Sequence, residues 1–357
     1  MLDIILGIAA ATLLIATLLP FLPLHHWTVR SLDFPRLQLA CLAIAVGIVQ
    51  GLWGDAEWRW LSVTACGLVA LIQGGYILPW TPLWPTQVKR IGQDSERRNV
   101  TLLVSNVLTP NRNAQGLLRQ IHEHQPDVVL TLESDAWWGV QLEHSLHQEW
   151  PYSVKIPLDN LYGMHMFSRI PLEDTEVKWL IQSDIPSIHT WLPMPCGTRI
   201  RLHAVHPRPP APSESDVSLW RDGELLLVGK GIKQSAHQPT LVAGDLNDVA
   251  WSGTTRRFCR VSHMLDPRRG RGMFSTFHAK YPFLRWPLDH IFISDHFLLV
   301  DMKRLDGFGS DHFPILATLS YQPAQADENE PPVADEDDRR DAQETIEEAS
   351  NKGDGEA

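Results

Sequence analysis

Two polar residues follow a β-branched apolar segment in Thr240-Leu-Val-Ala-Gly-Asp-Leu-Asn247. Because alternate side chains of an extended chain point the same way, Asp245 and Asn247 are predicted to face one reacting phosphate. A carboxylate there can accept a proton from water, and a carboxamide can donate a hydrogen bond to an anionic oxygen. An Asx-rich turn after a strand gives the same pattern, so this segment alone leaves both interpretations open.

A carboxylate also ends the apolar segment Asp127-Val-Val-Leu-Thr-Leu-Glu133, and a carboxamide, Asn106, ends an apolar segment before it. Oxygen ligands such as Glu133 suit Mg²⁺ or Mn²⁺, which bind through one or two carboxylates together with a substrate phosphate. A solvated surface glutamate is the alternative for Glu133 taken alone.

Adjacent Asp and His residues occur in Gly309-Ser-Asp-His-Phe-Pro314, directly before another apolar strand. Adjacent side chains on extended backbone diverge, so Asp311 is predicted to face a metal or the histidine network and His312 the phosphate. Asp289, from Pro287-Leu-Asp-His290, is predicted to orient His312 as its carboxylate partner. An ordinary polar turn is the alternative for either segment.

His206 follows a strand-like segment in His203-Ala-Val-His206-Pro. A near-neutral pKa would let His206 protonate a leaving oxygen. The chain contains 16 histidines, so coincidence is easy, and His165, His203 and His290 are interpreted as packing or surface residues.

The elements that must position these residues form a mixed α/β pattern, with polar side chains gathered at strand ends. Helices are predicted over about residues 113–124 and within 213–233. Strands are predicted over residues 101–107, 127–133, 164–167, 199–206, 240–243, 290–294, 298–302 and 315–319. Loops that leave strand ends are where a rigid scaffold usually carries its chemistry.

The formal net charge of −11 is concentrated at the carboxyl terminus. Thirteen acidic and three basic residues lie between 327 and 356, so this polar segment accounts for −10 and is predicted to be disordered. The remaining chain is nearly neutral and lacks the broad basic surface expected for tight binding of long nucleic acid. The four cysteines show no zinc-ligand spacing, and Cys196 and Cys259 are either paired or free.

Three apolar segments, at residues 4–24, 37–53 and 61–80, are each close to the roughly 20 residues that cross a bilayer. We expect three spanning helices, because the first segment lacks the positive start of a cleaved signal peptide. Arginines and lysines in the flanking loops weakly favour a cytoplasmic second domain, with the side left open. Pro79, Pro82 and Pro85 then predict a short, stiff connector that keeps the active site near the bilayer surface.

In chain order, these motifs resemble those of the endonuclease/exonuclease/phosphatase superfamily, the deoxyribonuclease I-like enzymes, over about residues 97–320. The matching segments are Val104-Ser-Asn106-Val, Pro126 to Glu133, Gly163-Met-His-Met-Phe-Ser-Arg169, His206-Pro, Gly244-Asp-Leu-Asn247, Leu288-Asp-His-Ile-Phe and Ser310-Asp-His-Phe-Pro. Departures are Ser105, where a tryptophan is frequent, and His290, where a tyrosine is common. They concern the substrate more than the chemistry.

The resemblance implies a four-layer α/β/β/α sandwich of two packed mixed sheets, an α/β (α+β) fold, here preceded by three transmembrane helices. It implies that Glu133 binds the metal and that Asn106 supports metal and phosphate. Asp245 and Asn247 would activate water and stabilise the transition state, and Asp311 would complete the acidic network. Asp289 and His312 would form an Asp–His pair, with His206 as a second histidine. Phosphate contacts would come from Asn106, Asn247 and His312.

We therefore expect an anchor over residues 1–81, a linker over 82–98, a hydrolase domain over 99–321 and an acidic tail over 322–357. The expected function is Mg²⁺- or Mn²⁺-dependent hydrolysis of phosphate esters at a membrane, with a lipid-linked phosphate favoured over chromosomal DNA. A membrane-tethered nuclease and a non-catalytic scaffold are the alternatives. The bilayer and a phosphate ester are the expected partners, and no obligate protein partner is inferred.

Overall fold

The computed structural model of the chain describes residues 2–92, 96–235 and 237–353. It begins with the helices α1 (Leu2–Leu18), α2 (Trp27–Arg30), α3 (Arg36–Trp53) and α4 (Ala56–Ile77). Three spans are long and apolar enough to cross a membrane: Leu2–Phe21, Arg36–Trp53 and Trp58–Trp80. Met1, predicted as the first anchor residue, lies outside the described residues.

Small and apolar side chains hold α1, α3 and α4 together as a bundle. Ala10, Ala43, Cys66 and Val69 are buried between the helices. Large apolar side chains point outward instead, and Leu71 is 75% exposed. Small residues inside and large apolar residues outside are typical of helices that pack in lipid, where burial of apolar surface does not drive association.

Eleven strands of the described chain form the second domain: β1 (Asn99–Asn106), β2 (Val128–Leu132), β3 (Tyr152–Ile156), β4 (Met164–Ser168), β5 (Glu173–Lys178), β6 (Ser187–Pro193), β7 (Arg199–Ala204), β8 (Thr240–Asp245), β9 (Asp289–Ile293), β10 (Phe297–Arg304) and β11 (Ile315–Tyr321). They make a six-stranded sheet, in the order β10-β11-β1-β2-β4-β3, and a five-stranded sheet, in the order β5-β6-β7-β8-β9. Both sheets are mixed, since β1–β2 and β7–β8 are parallel pairs and the other pairs are antiparallel.

The two sheets pack face to face because their strands alternate between two apolar faces. On β1, Leu102 and Val104 point into the core between the sheets, whereas Leu103 points outward. The outer faces are covered by α5 (Ala114–His124) and α6 (Ala136–Leu146) on the first sheet, and by α7 (Leu219–Gln234) and α8 (Gly253–Ser262) on the second. The predicted four-layer α/β/β/α sandwich is confirmed.

The acidic tail differs from the prediction of disorder, because it contains a helix, α9 (Glu336–Lys352), that packs on α7 and α8. Ala342, Ile346 and Ala349 repeat at helical spacing and are buried against those helices. Arg260 on α8 makes two hydrogen bonds to Asp338, at 2.5 and 2.6 Å. A narrow stripe of small apolar residues and a few ion pairs therefore dock a segment whose composition is polar. Residues 354–357 of the predicted tail lie outside the described residues.

The linker runs along the sandwich and does not stand free of it. Just before the linker, the Pro79 carbonyl accepts a hydrogen bond from the Gly270 amide at 2.9 Å, and within the linker the Ile91 amide donates to the Leu299 carbonyl at 3.0 Å. Residues 93–95 of the predicted linker lie outside the described residues. The N-terminal helical region contacts the sandwich as well, since Trp251 Nε1 donates to the Asp33 carbonyl at 2.7 Å.

Candidate active site

Asn106 joins the two sheets at one end of the sandwich. It is the last residue of β1, and its buried Nδ2 atom donates to Glu133 Oε1 at 2.7 Å and to Asp245 Oδ2 at 3.1 Å. Its Oδ1 accepts from the Leu108 amide at 3.0 Å, which holds the amide orientation. Since β1 and β2 are parallel, Asn106 and Glu133 leave the sheet side by side, as the strand-end pattern predicted.

Asp245 is the last residue of β8, and the backbone there requires a glycine before it. Gly244 has φ +151°, and a Cβ atom there would lie 1.9 Å from the Val205 carbonyl oxygen. The Asn247 amide donates to Asp245 Oδ1 at 2.9 Å. Asn247 adopts φ +51°, and its Nδ2 donates to the Pro207 carbonyl at 3.0 Å. One hydrogen of the Asn247 side-chain amide thus holds the His206–Pro207 segment, and the second hydrogen of the same Nδ2 group is left for a ligand.

His312 lies between two carboxylates from neighbouring strands. Its Nδ1 is 2.8 Å from Asp289 Oδ2, and its Nε2 is 3.6 Å from Asp245 Oδ2. Asp289 and Asp245 are opposite each other in the β8–β9 ladder. Burial alone lowers the pKa of His312, but the charges of the two carboxylates outweigh burial and raise the pKa to about 10. The imidazole is therefore protonated at neutral pH, in the Asp–His pairing that the sequence predicted.

One carboxylate oxygen of Glu133 accepts a hydrogen bond, and the other has no donor among the described residues. Glu133 Oε1 accepts from Asn106, while Oε2 is buried and has no hydrogen-bond partner among the described residues. Burial raises the pKa of Glu133 to about 7, and the hydrogen bond from Asn106 opposes the shift only in part. A buried carboxylate oxygen without a donor is costly, and a cation removes that cost.

Asp311 lies beside this cluster, and its backbone carbonyl accepts from the Ala279 amide at 2.6 Å. It is more exposed than Asp245, Asp289 and His312, and its charge acts on Glu133 and His312. Asp311 therefore borders the site and adds negative charge to it.

His206 is also at the site, but its protonation differs from the expectation of a near-neutral pKa. The ring is 2% exposed, and its centroid is 5.3 Å from that of Tyr162. Burial lowers the pKa of His206 to about 4, and the charge of Asp245 offsets this only in part. A neutral imidazole can donate an N–H hydrogen bond to an oxygen, but it carries no extra proton to give to one.

Several residues that support the site were not found from the sequence. Ser310 Oγ donates to the Asn106 carbonyl at 2.8 Å and accepts from the His312 amide at 3.0 Å. Buried Arg221, on α7, donates to the Asn247 carbonyl at 2.9 Å. Thr276 Oγ1 accepts from the Asp289 amide at 3.1 Å. The adjacent Arg221 and Asp222, within the segment predicted to contain a helix, are a local signal that could have been noticed.

The donor atoms of the cluster are suited to a divalent metal ion. Ligand atoms of Asp245, Asp289 and His312 lie within 4.8 Å of one another, but this group could hold an ion only with His312 deprotonated. Glu133, with its unpartnered Oε2, lies on the other side of Asn106. Most of these donors are carboxylate oxygens, which hard divalent ions prefer. The residues present therefore fit a metal centre.

A family model described as the Endonuclease/Exonuclease/phosphatase family matches residues 103–312, which contain all the site residues described above. The chain belongs to the endonuclease/exonuclease/phosphatase family. Family members are hydrolases that act on phosphate esters and generally use divalent metals. No curated protein matches the chain.

Solved structures share the endonuclease/exonuclease/phosphatase fold at low sequence identity. A family protein from Beutenbergia cavernae is 18% identical with a TM-score of 0.53, over 63% of this chain and 72% of that chain. D. rerio TDP2, complexed with a single-strand DNA product, is 18% identical with a TM-score of 0.52, over 64% and 100%. The human Nocturnin catalytic domain with bound sulfate is 16% identical with a TM-score of 0.52, over 66% and 98%. At these identities the likeness concerns the fold alone.

The four cysteines take no part in the site of this family member. All four are free thiols, so the alternative of a Cys196–Cys259 disulfide is wrong. Cys259 on α8 packs beside the core under the second sheet, and burial raises the pKa of its thiol well above the ordinary value. A thiol kept protonated in this way is a poor nucleophile.

Proposed function

We propose that this protein is a membrane-anchored, divalent-metal-dependent hydrolase of phosphate esters in which water attacks phosphorus. The observation that supports it most is the contact of Asn106 with both Glu133 and Asp245. That contact joins residues of both sheets into one buried polar cluster, which a fold alone does not require. Metal-dependent phosphoryl transfer needs buried carboxylates with an oxygen atom free to bind the ion, as Glu133 Oε2 is here.

The charge and position of each residue determine its proposed catalytic role. Asp245 accepts the proton of the attacking water, because its carboxylate is held by the Asn247 amide and by Asn106. His312 donates to a phosphate oxygen and stabilises the growing negative charge, with Asp289 fixing its ring. Both side-chain amide hydrogens of Asn106 are used on Glu133 and Asp245, so the second side-chain amide hydrogen of Asn247 orients the phosphate, and neutral His206 donates a hydrogen bond near the leaving oxygen.

Glu133 and Asn106, with Asp311 beside them, would hold the metal ion, and Mg²⁺ or Mn²⁺ suits these oxygen donors. When bound, the ion neutralises charge on the phosphate and lowers the pKa of a bound water. The unpartnered Oε2 of Glu133 supports this assignment.

Within this activity we propose a lipid-linked phosphate as the substrate. The end of α4 and the residue just before α3, Phe34, pack together against the sandwich, so both helices meet it on one side of the bundle. Ring contacts run from Phe34, just before α3, through Trp286 and Phe277 to His312, at centroid distances of 5.6, 6.2 and 4.9 Å. This path supports a catalytic end that faces the bilayer, where lipid phosphates lie.

The test uses the full chain in lipid nanodiscs, with Mg²⁺ or Mn²⁺ and three substrates: a lipid diphosphate, bis(p-nitrophenyl) phosphate and single-stranded DNA. Asp245→Asn keeps the shape of the side chain and removes the proton acceptor, so kcat should fall by roughly 10²–10⁴. Asp301→Asn, a partly exposed carboxylate on β10 whose ion pairs are with Arg90 and Lys303, is the control and should have wild-type activity.

Addition of EDTA should abolish turnover, and excess Mg²⁺ should restore it. Turnover by Asp245→Asn at the wild-type rate, or full activity in EDTA, would contradict the proposed mechanism. Hydrolysis of DNA alone would favour a tethered nuclease, and no hydrolysis of any substrate would favour a scaffold.

A further inference from the structure

A groove of about 690 Å³ separates the start of α3 from the loop of residues 273–285. We call it the α3 groove. Its wall on the anchor side is formed by Leu37, Gln38 and Cys41. Its wall on the loop side is mostly apolar and includes Phe274, Pro282 and Phe283, and the two charged residues that line it are Arg285 and Arg304.

The α3 groove opens where a membrane span begins. Leu37 and Cys41 belong to the first two turns of the span Arg36–Trp53. The loop beside them carries large side chains that are mostly exposed, since Tyr281 is 57% exposed and Phe283 is 88% exposed. Gln38 Nε2 donates to the Phe283 carbonyl at 2.7 Å, which fixes the loop against α3. Exposed aromatic residues at the end of a span are typical of the headgroup layer.

The positive charge in the α3 groove has no ion-pair partner within the described ranges. Arg285 and Arg304 both lie over the ring of Phe313, at 5.0 and 4.3 Å from its centroid. They donate to the backbone carbonyls of Ala279 and Ser275, and Asp306, whose charge acts on Arg304, is not within ion-pair distance of it. Two guanidinium groups held together in this way are stabilised by an anion.

The same loop forms one edge of the candidate active site. The Phe277 ring lies 4.9 Å from that of His312, and the Ala279 amide donates to the Asp311 carbonyl. Phe313, which both arginines cover, directly follows His312. A molecule in the α3 groove is therefore separated from the catalytic cluster by one layer of side chains.

We propose that the α3 groove binds an anionic lipid phosphate that arrives from the bilayer. The apolar walls contact its hydrocarbon chain, and Arg285 and Arg304 bind its negatively charged headgroup. The apolar walls adjoin the start of a candidate span, and the two arginines lie over Phe313, the residue after His312. The proposal rests on the proposed hydrolase function and extends it, because it assigns the surface that selects a lipid over a soluble ester.

Photo-crosslinking tests the groove without any turnover. The full chain would be placed in phosphatidylcholine nanodiscs containing phosphatidic acid with a diazirine in its acyl chain. Cross-links are expected in residues 37–41 and 273–285, and the double substitution Arg285→Gln/Arg304→Gln should reduce them at least fivefold. The charge-matched control Arg339→Gln/Arg340→Gln, in α9, should leave them unchanged. Equal labelling by a diazirine diacylglycerol, or no loss in the double variant, would overturn the proposal.

A kinetic comparison separates this proposal from the function on which it rests. Phe283→Ser should lower the ratio of lipid-phosphate to bis(p-nitrophenyl) phosphate turnover at least tenfold, while Trp179→Ser, an exposed aromatic on the sandwich, should not change it. An equal loss on both substrates would contradict a role in lipid selection. If the protein hydrolyses no ester but cross-links as expected, the hydrolase function fails and the lipid site stands.

Discussion

Asn106 and Asp245 belong to opposite sheets, yet Asn106 Nδ2 donates to Asp245 Oδ2 at 3.1 Å across the end of the sandwich. The same nitrogen donates to Glu133, so one carboxamide satisfies an oxygen of each of two buried carboxylates. The candidate site is therefore also a joint between the two halves of the core, and its polar groups contribute to stability as well as chemistry.

Replacing Asn106 should lower both the stability of the domain and its turnover. Asn106→Ala leaves two buried carboxylate oxygens without their donor, so the free energy of unfolding should fall by about 1–3 kcal/mol. Turnover should fall by roughly 10²-fold or more, as when a single donor to a reacting phosphate or its base is lost. Chemical unfolding and turnover of bis(p-nitrophenyl) phosphate measure the two effects, with exposed Asn351→Ala as the control. Unchanged stability would show that the joint is not energetically important.

Gly244 gives a second prediction about the backbone that carries Asp245. Gly244→Ala forces a Cβ against the Val205 carbonyl at a positive φ, so we expect the domain to lose more than about 3 kcal/mol or to fail to fold. The matched control is Gly231→Ala on α7, where an added Cβ meets nothing within 4 Å. That change should stabilise the helix by about 0.5–1 kcal/mol. Thermal unfolding of both variants would decide, and similar melting temperatures would contradict the prediction.

Glu224 should make stability depend on pH. It is buried in α7, its Oε1 has no hydrogen-bond partner among the described residues, and burial raises its pKa from 4.5 to about 8. Between these values the unfolded chain loses the proton and the native protein keeps it. The free energy of unfolding should therefore fall by about 1.4 kcal/mol per pH unit as the pH rises through this window.

Glu224→Gln should remove this pH dependence. The free energy of unfolding of the variant minus that of the wild type should therefore increase from pH 5.5 to pH 7.5. Urea unfolding in detergent at both values measures it, and Glu123→Gln, on the exposed face of α5, is the control. A difference that stays constant with pH would mean that Glu224 is ionised in the native protein.

The docking of α9 predicts that one charge can release the tail. Ile346→Asp buries a carboxylate against α7 and α8, so the helix should separate and the segment before it should become sensitive to protease. Ser350→Asp adds the same charge on the exposed face of the same helix and should remain resistant. Limited proteolysis followed by mass spectrometry distinguishes the two, and equal resistance would contradict the packing described here.

The sequence predicted the strands whose side chains are apolar on both faces, because β1, β2, β4 and β8 are buried between two layers. It did not predict the edge strands β3 and β5, whose side chains are largely exposed, since an edge strand carries little hydrophobic signal. It also missed β6, which is buried but contains the polar residues Ser187, His189 and Thr190. It also missed α9, because small residues at helical spacing are hidden in a strongly acidic composition.

The same distinction holds for the site. Residues at strand ends, such as Asn106 and Glu133, could be predicted because the sheet brings neighbouring strand ends together. Arg221 and Ser310 could not, because their roles depend on which loops approach them in three dimensions. The protonation of His206 was also out of reach, since only burial in the folded domain lowers its pKa.

For the proposed function, the contacts between the N-terminal helices and the loops beside the candidate active site affect the kinetics. Gln38, Phe34 and Asp33, all at or near the start of α3, touch loops that border the site. A reactant dissolved in the bilayer would then meet this site by diffusion in two dimensions. Its rate would follow the mole fraction of that lipid in the surrounding leaflet, and dilution of the surface with inert lipid would slow the reaction even at constant bulk concentration.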